Sequence, residues 1–492
     1  MDFLDPKKKK AHIIRLYIGY FLMAVALSIG TLILLFEVSG YDYDRKTGTV
    51  IQNGLVFVDA HPEQATIFMN GKQEGQTDTR LTLPANKYDF ELKRDGYRTW
   101  RRTLQLEGGS IERMVYPFLF PEKLEPKDVQ LYGSSPGLAT QSPDRKWLLV
   151  QKPATLTSFD IVDLGNSANP ATTLTLPDTL FAAASGDHKL EAVEWSTDNR
   201  HVLVKHVYAG GPEFVMVDRE QPATSFNINK TFNLALSDVA LRDKKFDQFH
   251  LLEKSGGILR HGDAKSAQLT LLANRVLVFK SYGDDTLVYV TEEGAAVGKT
   301  VVQLRKGNDS YKLRELPKGD INVVDVSRFD DRWYVAAGTS AENKVYVYEQ
   351  PFEALIQQKD RALAPVAVLK LDKLEYLSVS ANSRFIGAQG GSNFAVYDSE
   401  HDRTYHYDTK LPLTPGYKAR WMDGHRYMVV SEGQVAVFDF DGINIQKLNP
   451  SDAAFLPFFD RDYDFLYSIG PSVTVQGKPA LLRAPMRISS DQ

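Results

Sequence analysis

Three short stretches carry residue types whose spacing could do chemistry. Gly133-Ser-Ser-Pro-Gly137 has the spacing of a nucleophile elbow, in which a strained turn between a strand and a helix lifts a serine hydroxyl out for attack. Its surroundings are rich in Gly, Pro and Ser, and no helix pattern follows. Gly294-Ala-Ala-Val-Gly298-Lys299-Thr300 has the residue types of a phosphate-binding loop. It has three residues between the glycines where four are needed, and the strand pattern Val301–Leu304 follows where a helix should. Asp460, Asp462 and Asp464 have the spacing of the first three ligands of a calcium loop, but the glycine at the sixth position and the glutamate at the twelfth are missing. Their alternation with Tyr463 and Phe465 predicts a strand with one polar face. His201, His206, His250, His261, His401 and His406 show no i,i+4 helical pairing and no associated carboxylate pattern. His201 and His250 fall in strand patterns, where a packed role is expected. Absence of cysteine excludes disulfides, thiolate metal sites and cysteine nucleophiles. The reading therefore assigns no catalytic residue, no cofactor-binding residue, no metal ligand and no cofactor. The 23 Tyr and 26 Phe are expected to pack strands and sheets. The alternative is an aromatic rim for glycan or protein contact.

The elements that would position any site begin with a membrane span. Residues 16–36 carry no charge over 21 residues, enough at about 1.5 Å each to cross a hydrocarbon core of roughly 30 Å. Six Leu, three Ile, two Phe and Val25 favour insertion by roughly 4–7 kcal/mol. Lys7, Lys8, Lys9, Lys10 and Arg15 precede the span, and Glu37, Asp42 and Asp44 follow it. The positive-inside rule places the basic tail, residues 1–15, in the cytoplasm and the rest outside. Ala24-Val25-Ala26 resembles a signal-peptidase triplet, but it lies in mid-span with ten apolar or small residues still to come.

Residues 1–36 hold five Lys/Arg and two Asp, a net of +3. The remainder holds 53 Lys/Arg against 60 Asp/Glu, a net of −7, which offers no general attraction for nucleic acid. A length of 492 residues implies two or more domains.

After a polar stalk, residues 37–53, short period-2 runs begin. They include Leu55–Val58, Ala65–Met69, Arg80–Leu83, Tyr88–Leu92, Arg101–Leu106 and Ile111–Val115. Asn70-Gly71 between two of them is a tight-hairpin signal, since both central positions need positive φ. Pro62 to Ala65, Asn70-Gly71, Gly75 to Thr77, Leu81 to Pro84, Tyr88, Gly96-Tyr97 and Trp100 together resemble the PEGA domain over residues 54–120. The turn glycine expected before the Tyr strand is replaced by Asn86-Lys87, with Asn tolerating the left-handed region. The resemblance implies a small β-sandwich of surface proteins and no catalytic residues.

Residues 121–136 read as a linker, from Pro121-Glu-Lys-Leu-Glu-Pro126 and Gly133–Gly137. Beyond it, over 137–487, an acidic or amide residue recurs three before a bulky one, ahead of an alternating strand. The copies begin at Asp144, Asp198, Asp243, Asp284, Asp330, Asn382, Asp423 and Asp460. A turn side chain that caps a hairpin, repeated every 37 to 54 residues, predicts propeller blades. Ser142-Pro-Asp-Arg-Lys-Trp147 resembles the blades of WD-like periplasmic β-propellers. The expected fold is an all-β ectodomain, a PEGA-like sandwich plus a seven- or eight-bladed propeller, preceded by one transmembrane helix. A short helix is expected at 353–360, in an inter-blade loop.

The functional expectation is a non-enzymatic, membrane-anchored, extracytoplasmic binding protein of the cell envelope. Its partner would be an envelope protein or cell-wall glycan met through the propeller face. One alternative is a propeller hydrolase or lyase whose site is assembled across blades. The other is an envelope assembly scaffold. Three or more carboxylates and histidines at the channel mouth would mark the enzyme; an aromatic-lined or wet face would mark the binding protein.

Overall fold

The computed structural model describes residues 6–38, 40–44, 49–166, 169–183, 185–358 and 362–488. The helix Pro6–Val38 contains Lys9–Val38, 30 residues of mean hydropathy 2.3 whose apolar stretch is unburied. It is long and apolar enough to cross a membrane, and it contains the expected span. Thr31 returns its hydroxyl to the Leu27 carbonyl at 2.8 Å, so its one polar side-chain atom is satisfied within the helix. Residues 1–5 of the basic tail lie outside the described residues.

Two compact units divide at residues 122 and 123. The first contains two four-stranded sheets. In one, Thr49–Val58 pairs with Tyr41–Asp44, with Thr79–Pro84 and, in parallel, with Ile111–Met114. The other runs Lys72–Gln76, Thr66–Met69, Asn86–Lys93, Trp100–Leu106. Val56, Val58, Ile67, Phe90, Leu92, Trp100 and Leu106 are buried in this unit. Asn70 and Gly71 have φ of 50° and 81°, the hairpin their pairing demands.

Two expectations change here. Much of the stalk is strand, because residues 41–44 supply ladder partners for 49–52; residues 39 and 45–48 lie outside the described residues. Asn86 is not left-handed either. It opens the strand opposite Leu106, and its side chain accepts the Lys87 N–H at 2.8 Å.

In the second unit the described residues form eight four-stranded antiparallel sheets. Seven are consecutive in sequence, spanning 139–175, 189–227, 236–273, 276–317, 322–370, 376–408 and 420–450. The eighth takes Phe458–Phe459, Phe465–Pro471 and Pro479–Pro485 from the end of the unit and Lys127–Leu131 from its start. The expected linker thus contains an outer strand, whose partner lies some 350 residues away in sequence. Buried apolar clusters join sheets 1 to 2, 2 to 3, 3 to 4, 4 to 5 and 5 to 6, and stacked aromatics join 6 to 7. Tyr132, Leu148, Val150, Phe458, Tyr467 and Leu481 join the eighth to the first, closing a ring. Eight blades result, a closed β-propeller.

All eight repeat copies fall at the turn between the first and second strands of a blade. The turns are built in two ways. Asp198 accepts the N–H groups of Arg200 and His201 at 2.9 and 3.0 Å, and Asp423 those of His425 and Arg426 at 2.6 and 2.9 Å. Asp144, Asn382 and Asp460 cap their turns in the same manner. At Asp243 and Asp330 the backbone itself turns left-handed, with φ of 52° and 46°.

Three copies add a rivet: the residue before the bulky one is Arg200, Arg384 or Arg426, and it meets the aspartate ending the third strand. Arg384 holds Asp398 bidentately at 2.8 and 2.7 Å, with Asp398 fully buried. Burial alone would raise the Asp398 carboxyl, but His401 and Arg384 hold it well below the usual range. Asp398→Asn leaves the buried Arg384 with only the more exposed Glu400 as a charged partner. A loss of about 3 kcal/mol is expected, read as a lower denaturant midpoint with unchanged slope.

The short helix is Pro351–Gln357, with Pro351 in its first turn. It connects the third and fourth strands inside blade 5, not two blades, because Ala367–Lys370 still has to pair with Lys344–Glu349. Residues 359–361 lie outside the described residues.

Candidate functional site

None of the three sequence motifs becomes a reactive centre. Gly133–Gly137 connects Lys127–Leu131 to the first strand of blade 1, and no helix follows. Gly137 lets the chain pass Gln151: a Cβ there would lie 2.3 Å from its Oε1. Gly294–Gly298 is the hairpin loop between Thr286–Thr291 and Lys299–Lys306, with Val297 fully exposed at its tip. Asp460, Asp462 and Asp464 lie on the first turn of blade 8. Asp460 caps that turn, and its carboxyl is pushed up by burial and by Asp464 and Asp462. Asp464 pairs with Arg487 at 2.7 Å. Among the described residues no group of three His, Asp or Glu is arranged to hold a metal ion.

Three of the six histidines do have carboxylate partners, contrary to the sequence reading. His201 Nδ1 is 2.6 Å from Asp198, His401 Nδ1 is 2.9 Å from Asp398, and His206 Nδ1 is 2.7 Å from Glu213. The first two pairs arise from i,i+3 spacing across turns and the third from cross-strand pairing, neither of which a helical search detects. His250 is buried as expected, and its Nδ1 finds no hydrogen-bond partner. His261 lies opposite it on the neighbouring strand, with Nδ1 3.1 Å from the Phe249 carbonyl oxygen. His406 lies on the outer strand of blade 6, opposite Ala395.

The first strands of the blades converge on the axis, and those of blades 7, 8, 1 and 2 enclose a cavity of about 310 Å³. Trp195, Trp421, Met422, Met428, Phe458 and Phe459 contribute its apolar half, and Thr140, Gln141, Arg145, Glu194 and Arg420 line the rest. The strand carrying Ala192–Trp195 has a bulge between Ala192 and Glu194, which leaves Val193 37% exposed in that wall. Trp195 donates its indole N–H to the Thr140 hydroxyl at 2.9 Å. Trp421 donates to Ser378 at 3.1 Å and stacks on Tyr427 at 3.7 Å. Both rings are fixed: Trp195 is buried against its neighbours and Trp421 is stacked on Tyr427.

Arg145 fastens this region. Its left-handed backbone, φ 59°, directs Nη2 to the Met422 carbonyl of blade 7 at 3.0 Å. Its guanidinium lies 4.4 Å over the Tyr463 ring of blade 8, and the Tyr463 hydroxyl donates to the same carbonyl at 3.2 Å. Arg145 also lines a second cavity, of about 470 Å³, between blades 8 and 1. Four basic and four acidic side chains line that one: Arg145, Lys146, Arg461 and Arg483 against Asp144, Asp460, Asp462 and Asp464.

Charge at the channel mouth is one-sided. Glu194 is its one lining carboxylate, and both its oxygens are taken, by the Leu241 N–H and by Lys244. Among the described residues no histidine lines it. Arg420 is exposed and reaches the Tyr376 hydroxyl at 3.5 Å; Lys418 lies 5.3 Å over the Tyr376 ring. The wall is thus mixed, with an aromatic and thioether side, and the rim is cationic. Sequence reasoning missed this site because each blade supplies a few residues from stretches up to about 320 positions apart.

Several solved structures are similar in overall architecture. The C-terminal WD40 domain of Sif2 shares 11% identity over 74% of this chain and 98% of that chain, with a TM-score of 0.47. The Dos1 propeller shares 14% over 74% of this chain and 95% of its own, with a TM-score of 0.44. Kluyveromyces lactis Hsv2 shares 13% over 65% of this chain and 100% of its own, with a TM-score of 0.39. No curated protein matches the chain in sequence. Residues 53–114 match the PEGA domain family, so the small β unit next to the apolar helix carries a PEGA domain, in a chain that ends in an eight-bladed propeller.

Proposed function

We propose that the protein is a non-enzymatic binding protein of the cell envelope. The N-terminal helix anchors it with the basic tail in the cytoplasm, and the PEGA domain and propeller lie outside. Its ligand is an envelope protein or a cell-wall glycan, engaged at the channel mouth of the propeller. The observation that carries the reading is the cavity of about 310 Å³ walled on one side by tryptophan, phenylalanine and methionine. Apolar concavities with a few fixed polar groups are the usual form of a binding site. Glu194, its carboxylate committed to Leu241 and Lys244, offers no free acid or base for catalysis there.

Purified residues 40–492 tested against envelope glycan and against solubilised envelope proteins should bind one of them. Val193→Asp puts a charge into the apolar side of the wall at a side chain that is already partly exposed. It should weaken that binding about 30-fold, the scale of a hot-spot residue, with an unchanged melting temperature. Equal binding by both forms would remove the channel mouth from the account.

Orientation has its own test. Protease added to intact cells, after any wall is opened, should digest the chain beyond Glu37. Full protection of the C-terminal part would reverse the topology.

A further inference from the structure

The strand pair that leaves the N-terminal helix carries an exposed aromatic face that neither the PEGA core nor the channel mouth uses. The helix ends at Val38, and Gly40, with φ 75°, donates its N–H to the Glu37 carbonyl at 3.0 Å. That left-handed turn sends the chain directly into the strand Tyr41–Asp44. The Asn53 N–H returns to the Gly40 carbonyl at 2.7 Å, so the ladder between residues 41–44 and 49–52 starts at the helix end.

Tyr41 stacks on Phe36, the last residue of the uncharged span, with ring centroids 5.3 Å apart. The strand face that carries Tyr41 is therefore the face turned to the end of the span. Side chains two apart on a strand share a face, and so do directly opposed residues of paired strands. Tyr43 is two residues beyond Tyr41, and Val50 lies opposite Tyr43 in the register. Both are more than half exposed, at 57% and 56%. Asp42 and Asp44 take the alternate positions of the strand.

Depth and chemistry point to one occupant for this face. A 21-residue span that ends at Phe36 puts the Phe36 ring where hydrocarbon gives way to headgroups. Tyr41, stacked on it, shares that depth. Tyr43 is about 7 Å further along the strand, comparable to the thickness of one headgroup layer. Tyrosine favours that layer because its ring is apolar while its hydroxyl keeps a water or headgroup partner.

We propose that residues 41–52 form an interfacial anchor, with Tyr41, Tyr43 and Val50 set against the lipid headgroup layer at the end of the span. The strand Thr49–Val58 runs without a break from that face into the PEGA core, where Val56 and Val58 are buried. A continuous strand passes the constraint on. The PEGA domain is thereby held at one height and tilt above the bilayer, instead of swinging on a loose stalk. The anchor rests on the helix spanning a bilayer, and not on the reading of the propeller's ligand.

The chain has no cysteine, so one introduced cysteine carries a nitroxide label at a single site. Full-length protein in phosphatidylcholine nanodiscs is labelled in turn through Tyr43→Cys, Val50→Cys and Ile51→Cys. Leu27→Cys, inside the span, marks lipid, and Lys72→Cys, on an exposed side chain of the strand Lys72–Gln76, marks water. Power saturation gives the accessibility to oxygen, which concentrates in lipid, relative to a water-soluble nickel chelate. That ratio at 43 and at 50 should exceed the ratio at 72 by about threefold or more and stay below the ratio at 27. Position 51, on the opposite face of the strand, should stay near the value at 72. Water-like ratios at 43 and 50 with a lipid-like ratio at 27 would overturn the anchor and leave the span standing. Equal ratios at 50 and 51 would also overturn it, since a stalk without a bound face has no alternation. A water-like ratio at 27 would overturn span and anchor together.

Discussion

A chain beginning at Lys123 is expected to fold as a monomer, and one beginning at Gly137 to be less stable and to aggregate. The difference is the strand Lys127–Leu131, which completes blade 8 by pairing with Pro479–Pro485. Its removal leaves the ladder partners Ala480, Leu481, Leu482 and Arg483 at an open edge, a template for association. It also removes Asp128, which accepts the Ser472 hydroxyl at 2.7 Å and the N–H groups of Val473 and Thr474 at 3.0 and 3.1 Å. Burial alone would raise the Asp128 carboxyl, but the Thr474 and Ser472 hydroxyls and these N–H groups hold it below its usual range. Tyr132, 5% exposed in the cluster joining blades 8 and 1, is lost too. A buried aromatic contributes about 2 kcal/mol and a carboxylate with several donors about as much again. The melting temperature should therefore fall by roughly 5 °C or more. Light scattering and thermal unfolding of the two fragments decide it. Deleting residues 453–492 should be worse, since it removes three strands of the same blade. Equal melting temperatures and two monomers would mean that the ring does not close through this strand.

Acid should destabilise the propeller well before carboxylates titrate. His250 is 3% exposed, and burial, with His261 and Arg242 nearby, pushes its imidazole down to about 3. In the unfolded chain it titrates near its ordinary value of about 6.5. Above pH 6.5 the side chain is neutral in both states and nothing is lost. Below it, the unfolded chain binds a proton that the folded one refuses, so stability falls as pH drops from 6.5. At pH 5 the loss from this one group is about 2 kcal/mol. His425, pushed down to about 4 chiefly by burial, adds to the same slope. Carboxylates held low, such as Asp263 at about 2, act only below pH 4 and lie outside this window. Urea unfolding at pH 7.5 and 5.0 measures the loss. His250→Phe removes a buried nitrogen that has no partner and places an aromatic beside Phe279. It should match the wild type within about 1 kcal/mol at pH 7.5 and exceed it by about 2 kcal/mol at pH 5.0. A variant with the same acid slope as the wild type would remove His250 as the cause.

The sequence makes the periodic features legible and leaves the closures hidden. Eight acid-or-amide turns mark eight blades because each is local: at five a side chain caps its own hairpin, as Asp198 does for Arg200 and His201, and at Asp243 and Asp330 the backbone turns left-handed. The PEGA-like hairpin at Asn70-Gly71 is legible for the same reason. Lys127–Leu131 is not, because a five-residue edge strand has no pattern of its own and its partner lies some 350 positions away. Asn86 misled because its left-handed tolerance is an option that the ladder with Leu106 overrides. The channel mouth is invisible for a stronger reason. Trp195, Trp421 and Phe458 are ordinary strand aromatics until the ring brings four first strands together.

The most direct test of the binding account is photocrosslinking in the native membrane. A photoreactive residue at position 193 lies in the channel-mouth wall. One at position 271, an exposed leucine on the outermost strand of blade 3, is the control. The account predicts a discrete adduct from position 193 that is absent from 271 and is lost when Trp421→Ala is added. No adduct at 193, or the same adducts from both positions, would contradict a binding site at the channel mouth.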